Sequence, residues 1–232
     1  MIPHSNSAAF YDVVYSEMNA YTAQTLAVIN DYQPQGTIID CGAGSGRLAI
    51  PLARMNYSVI AVEQSSEMCA VLQQKMTKHN LQFPVYNCSM EQYSAAVCNM
   101  ALALFTVFIY CLSEEHLRAQ LQTICAHILP GGFFFFDIPH ESLFESQTRS
   151  MCGIQKHIRI EQTSQEHIFD YYEHCISIRK KMPFDYKEHF QIRYWPPEIF
   201  ERILTACNME FVTIIPGFDD MGADYCLWRK RE

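Results

Sequence analysis

The segment Ile38-Ile39-Asp40-Cys41-Gly42-Ala43-Gly44-Ser45-Gly46-Arg47 constrains the chain more than any other. Apolar residues of strand character run into an acidic residue and three alternate glycines, and helix-forming residues follow directly. Such a loop lets the backbone approach a ligand and adopt conformations that a Cβ would bar. The amides of the following helix can also receive an anionic group. The spacing is G-x-G-x-G, whereas a dinucleotide fold carries G-x-G-x-x-G. The third glycine of the latter pattern would fall at Arg47.

The alternation continues downstream. Residues 37–41 read as a strand, 46–55 as a helix and 57–63 as the next strand. Ser65 or Ser66 caps a helix with Glu67 in its first turn, where the helix dipole favours a negative charge. Residues 83–87 and 99–105 are further strands, the second nearly continuous in apolar residues, as a strand buried on both faces requires. Ser113 opens a helix with Leu117, Leu121, Ile124 and Ile128 at helical spacing; Pro130-Gly131-Gly132 ends it, and 133–137 form a fifth strand. This order predicts an α/β fold with a doubly wound, mostly parallel sheet. Ligands of such sheets bind at the carboxyl ends of the strands, which here carry Asp40, Glu63, Phe105 and Asp137.

Past residue 150 the period changes to two. Phe184, Tyr186, Phe190, Ile192 and Tyr194 alternate with Asp185, Lys187, His189, Gln191 and Arg193, the pattern of a half-buried antiparallel strand. Residues 153–162 and 167–179 pair with it as a three-strand antiparallel meander inserted after the fifth parallel strand. Pro196-Pro197-Glu198 opens another helix. Residues 209–216 and 223–228 then form a C-terminal antiparallel hairpin that completes a seven-stranded sheet. The expected organisation is one domain: an N-terminal helical lid (1–32), a cofactor-binding core (33–148), an insert over the substrate site (149–195), and a closing helix and hairpin (196–232).

Composition narrows the partners. Lys and Arg number 17 against 25 Asp and Glu, a net charge of −8, and no basic run is present. Binding a nucleic-acid backbone needs clustered cations, so none is expected here. The ten cysteines are scattered, with no C-x-x-C pair and no Cys/His cluster of zinc spacing, which predicts reduced thiols and no metal. The longest apolar run, residues 100–112, is shorter than the ~20 residues of a membrane span. The N-terminus lacks the charged and apolar blocks of a signal peptide. The expectation is a cytoplasmic protein without a membrane partner.

A pyrophosphate would sit badly beside Asp40, whereas a ligand with an ammonium and a sulfonium would not. Glu63 ends the next strand and can accept hydrogen bonds from two ribose hydroxyls. Together these features fit S-adenosylmethionine better than NAD. At this point the chain resembles the class I S-adenosylmethionine-dependent methyltransferases over nearly its whole length. Asp40-Cys41-Gly42-Ala43-Gly44-Ser45-Gly46 is similar to their first motif, and Val62-Glu63-Gln64-Ser65-Ser66-Glu67-Met68 to their second-strand acidic motif. Leu129-Pro130-Gly131-Gly132 is similar to the turn before their fifth strand.

The resemblance implies a Rossmann-like methyltransferase fold with S-adenosyl-L-methionine held by Asp40, Gly42, Ala43, Gly44, Gly46, Glu63 and Gln64. It implies that Met68 packs on the adenosyl group, with Met90 and Phe105 as further contacts. Ser89 takes the place of the acidic residue that usually holds the adenine amino group. Tyr11 and Tyr21 match tyrosines that form a lid in the small-molecule branch of the family, particularly N-methyltransferases. Leu104-Phe105-Thr106-Val107 stands where enzymes of DNA bases or protein amides carry Asn/Asp-Pro-Pro-aromatic. The expected partner is therefore a small-molecule acceptor, an amine more than a hydroxyl.

Methyl transfer is an in-line displacement, to which positioning can contribute ~7 to 11 kcal/mol. An amine must be neutral when it attacks, and a histidine can take its proton. His140, which follows the fifth strand, is assigned that role, with His189 second. Competing readings are a silent cofactor-binding or regulatory protein, for which Ser89 leaves room, and an NAD-dependent oxidoreductase, which Arg47 and Asp40 disfavour.

Overall fold

The computed structural model describes residues 2–15, 19–32, 34–151, 153–180, 182–217 and 222–232. Helices α1 (Tyr11–Val14) and α2 (Asn19–Asp31) precede strand β1 (Thr37–Cys41), helix α3 (Ala49–Arg54) and strand β2 (Ser58–Val62). Helix α4 (Ser66–Lys78), strands β3 (Val85–Tyr86) and β4 (Cys98–Ala103), helix α5 (Glu114–His127) and strand β5 (Ile128–Pro139) follow. Ser65 and Ser113 cap α4 and α5 by accepting from the Met68 and His116 amides, each at 3.2 Å. The acidic residues of both first turns, Glu67, Glu114 and Glu115, lie where the dipole favours them.

Helix α6 (Pro197–Ala206) and the hairpin of β10 (Met209–Ile215) and β11 (Ala223–Lys230) complete the sheet. Its seven strands are ordered β3-β2-β1-β4-β5-β11-β10, with β11 antiparallel to both neighbours. Alternation along each strand feeds two cores. Ile39, Ile60, Ala101, Phe134 and Phe136 pack with Leu117 and Leu121 of α5 and Phe200 and Ile203 of α6. Ile38, Val59, Ala61, Leu102 and Phe135 pack on the opposite face with Ile29 of α2, Leu52 of α3 and Leu72 of α4.

Strand β5 begins earlier than the sequence predicts. Pairing with β4 extends back to Ile128, with a register shift between Cys98 and Met100, so Pro130-Gly131-Gly132 lies inside the strand. The insert also differs from the expected three-strand meander, being a four-stranded antiparallel sheet of β6 (Gln147–Met151), β7 (Ile154–Gln162), β8 (Ile168–Ser177) and β9 (Phe184–Arg193). The added strand, Gln147-Thr148-Arg149-Ser150-Met151, has no apolar alternation; pairing with β7 from Gln147 opposite Ile158 to Met151 opposite Ile154 creates it.

On the covered face of this second sheet, apolar Ile154, Ile158, Cys175, Tyr186 and Phe190 alternate with exposed or half-buried residues, and three charged residues stand among them. Lys156, Glu173 and Glu188 are all buried. The N-terminal segment crosses this face, where the His4 and Ser7 amides donate to the Glu188 carboxylate at 2.8 Å each. Nine cysteines among the described residues are free thiols. No described helix is long and apolar enough to cross a membrane.

Candidate active site

The glycine loop joins β1 to α3 with its backbone turned toward β2. The Gly42 and Ala43 amides donate to the Val62 carbonyl at 2.8 and 3.1 Å. Gly42 has φ +72, and a Cβ there would stand 2.9 Å from Val107 Cγ1. Glu63, at the end of β2, closes the loop from the other side: Oε2 accepts from the Gly44 amide at 2.8 Å and Oε1 from the Ser65 amide at 2.7 Å. Burial raises its carboxyl above the ordinary value, and these amide bonds counter the shift. Each oxygen keeps a lone pair for a further donor.

Above the loop lies a cavity of about 470 Å³, within the size range of small-molecule sites. Gly42, Ala43, Gly44, Glu63, Gln64 and Met68 line one side, Ser89, Met90 and Phe105 another, and Tyr11 closes it from the N-terminal segment. A smaller cavity of about 150 Å³ adjoins it, between the ends of β4 and β5 and the covered face of the insert. His4, Tyr11, Arg47, Phe105, Tyr110 and Phe190 line both. Thr106, Asp137, Gln147, Arg149, Lys156 and Tyr171 line the smaller one alone.

The wall between them is held by an unusual backbone. Phe105 and Thr106 have φ +69 and +60, a region that is strained for an aromatic and a β-branched residue. Asp137 clamps them: its Oδ2 accepts from Phe105 N at 2.8 Å, and Thr106 N lies 2.8 Å from Oδ1 and 3.0 Å from Oδ2. Burial pushes the Asp137 carboxyl up to about 7 despite these donors. Behind the smaller cavity, Lys156 Nζ lies 2.8 Å from Glu173 Oε2, and the Tyr171 and Tyr186 hydroxyls donate to Glu173 at 2.6 and 2.7 Å. Burial acts to raise Glu173, yet Lys156 and these hydroxyls hold it below the ordinary carboxylate value.

Residues 38–132 match the family profile described as Methyltransferase domain. Those residues are similar to a methyltransferase domain, and the strand order is that of the class I methyltransferase fold. A curated protein of Geobacillus sp. (strain WCH70), provisionally named a methyltransferase, is 24% identical over 140 residues, 58% of this chain and 57% of that protein. The match thus spans a little over half the length of that relative. The crystal structure of an S-adenosylmethionine-dependent methyltransferase from Clostridium acetobutylicum ATCC 824 superposes with a TM-score of 0.83 at 12% identity, covering 98% of this chain and all of that one (100%). The S-adenosylmethionine-bound structure of CalS10, an amino pentose methyltransferase from Micromonospora echinaspora, gives 0.77 at 15% identity, covering 95% and 96%. These likenesses show the fold over nearly the whole chain, insert included.

Four residues singled out in the sequence stand away from the cavities. Asp40 shares the face of Ile38, so strand alternation turns it beneath the loop toward α3. It is 3% exposed and accepts from the Ala49 amide, its Oδ2 has no partner, and burial pushes its carboxyl up to about 7. Gly46 serves packing, since a Cβ there would meet Leu72 Cδ1 at 2.4 Å. Tyr21 packs against the core beneath α2. His140 is half exposed beside β11, with Nε2 3.1 Å from Asp224 Oδ2, and lines neither cavity.

His189 borders the larger cavity from the outward face of β9, where its ring stacks on Tyr172 at 4.3 Å and Nε2 lies 3.3 Å from Asp170. Two residues without an assigned role in the sequence stand closer in. The Arg47 guanidinium lies 4.3 Å from the centroid of the Phe105 ring, and its buried Nη1 has no partner. His4 places Nε2 2.9 Å from the Tyr110 hydroxyl.

Proposed function

We propose that this protein transfers a methyl group from S-adenosylmethionine to a small-molecule amine. The observation that carries the reading is the pair of adjoining cavities, one built on a glycine loop and a strand-end carboxylate, the other enclosed by the insert. The residues fit the cofactor. Glu63 has a lone pair on each oxygen for the ribose hydroxyls, and apolar Met68 and Met90 would flank the adenine beside Ser89. Arg47 Nη1, buried without a partner, suits the carboxylate at the amino-acid end, next to the open backbone of Gly42, Ala43 and Gly44. Tyr11 would cover that end.

When bound, S-adenosylmethionine supplies a methyl group activated by its sulfonium. The chain contributes position and dryness. Phe105 and Tyr110 form the partition at which donor and acceptor meet, and alignment there can supply ~7 to 11 kcal/mol of barrier reduction. The N-terminal segment and the insert would cover the cavities and exclude water. An amine is the favoured acceptor, since CalS10 is named for an amino pentose and partly buried His4 supplies a base within the site.

Calorimetry with S-adenosylmethionine and with NAD tests the donor, and labelled methyl incorporation into a small-molecule extract, with mass spectrometry of the product, tests the acceptor. Binding of S-adenosylmethionine and an N-methylated product are expected. Preference for NAD would sink the donor assignment, and an O-methylated product would replace the amine.

A further inference from the structure

A connected line of polar groups ends at the partition between the two cavities. Tyr110 closes the 3-10 turn Val107–Tyr110 after β4, and His4 faces it from the N-terminal segment. His4 is anchored twice by Glu188. Its amide donates to Oε2 at 2.8 Å, while the Ser7 amide takes Oε1 at the same distance. Its Nδ1 lies 3.5 Å from Ser7 Oγ and 3.7 Å from Glu188 Oε2. With hydrogen on Nδ1 facing those oxygens, Nε2 keeps the lone pair that accepts from Tyr110.

The groups around the ring decide its charge. Glu188 on β9, Glu173 on β8, Lys156 on β7, Tyr110, and Tyr11 and Tyr15 of the N-terminal segment all face it. Burial lowers His4 below the ordinary imidazole value against the pull of Glu188 and Glu173 upward, so the ring is neutral near pH 7. The Tyr110 hydroxyl is held well above its ordinary value by burial and stays a phenol, fit to pass a proton but not to keep a charge.

We propose that Tyr110 and His4 relay the proton away from an ammonium acceptor in the smaller cavity, with Glu188 as a positioning residue; this rests on the methyltransferase reading. An N–H bond of the ammonium breaks as its proton passes to the Tyr110 oxygen. The Tyr110 O–H bond breaks in turn as that proton forms an N–H bond at Nε2 of His4. The acceptor is left a neutral amine with its lone pair, Tyr110 is again a phenol, and the imidazolium charge rests beside the Glu188 carboxylate. No electrons are exchanged, and His4 returns the proton to water after product leaves.

Wild type, His4→Gln and Tyr110→Phe are to be compared by calorimetry with S-adenosylmethionine and by labelled methyl transfer into a small-molecule extract from about pH 6 to about pH 9. Cofactor Kd is expected to stay within about threefold, a difference well below 1.4 kcal/mol. Turnover is expected to fall about 10²-fold or more in both variants, with the residual rate climbing as pH rises. Unchanged turnover and pH profile would overturn the relay, as would a weakened Kd with turnover intact, which would make His4 a cofactor contact. Nitrogen NMR of the labelled wild-type imidazoles decides even where a variant does not fold. The Nδ1–H tautomer is expected for His4 at neutral pH, and a protonated Nε2 overturns the proposal. Wild-type protein that binds no S-adenosylmethionine at all would instead sink the methyltransferase reading.

Discussion

Glu63 does two jobs with one carboxylate, holding the Gly44 amide and offering its remaining lone pairs to the larger cavity. On the proposed reading Glu63→Ala would remove two ribose contacts, each worth ~1.5 to 3 kcal/mol for a charged acceptor, so cofactor Kd should rise on the order of 10²-fold or more by calorimetry. An unchanged Kd would place the ribose elsewhere. Asp40 gives a pH signature instead. Its folded carboxyl is raised from 3.8 to about 7, so the native state keeps a proton that the unfolded chain loses, and this contribution to stability fades as pH rises between those values. Asp40→Asn lacks that loss, and its stability relative to wild type should grow by about 1 kcal/mol per pH unit across the interval in urea titrations. A pH-independent difference would contradict a buried, partly protonated Asp40. Glu63, Gly42 and Gly44 were legible in the sequence because strand, loop and helix are contiguous there, whereas Gly46 turned out to serve packing. His4 was not legible, since its Glu188 anchor lies 184 residues away.

At the scale of elements, the insert is the least regular part. Its covered face carries Lys156, Glu173 and Glu188 where alternation calls for apolar side chains. Glu188 interrupts the apolar alternation from Phe184 to Tyr194, and in the structure it anchors the N-terminal segment. Strand β6 was invisible because its residues show no period, and only pairing with β7 places Gln147 and Arg149 on the smaller cavity. Lys156→Met would leave Glu173 as a buried unpaired charge, and a loss of about 3 to 5 kcal/mol is expected in chemical denaturation. Changing Glu173 to Gln in the same chain should recover part of that loss, because the stranded charge goes with it. A single variant as stable as wild type would mean that the pair contributes nothing to the insert.

The whole molecule is a parallel core, an antiparallel cover and an N-terminal strap that joins them, with the cavities between. A cofactor that binds only the assembled form should stabilise all three together. At a concentration about 100 times its Kd it adds ~2.7 kcal/mol, which for a domain of this size raises Tm by roughly 5 to 10 °C. A melting curve that does not move with S-adenosylmethionine would contradict a preformed site. A doubly wound, mostly parallel sheet was legible because βα units admit few topologies. The angle at which the cover meets the core was not, because it depends on contacts between distant segments.

The left-handed pair Phe105 and Thr106 is tied to Asp137 by two amides, each end costly without the other. In lineages that share this loop, the three positions should be inherited as one character. Where a relative has lost the acid, glycine is expected at one or both of the other two sites, and a lone change at any of them should be short-lived in descent.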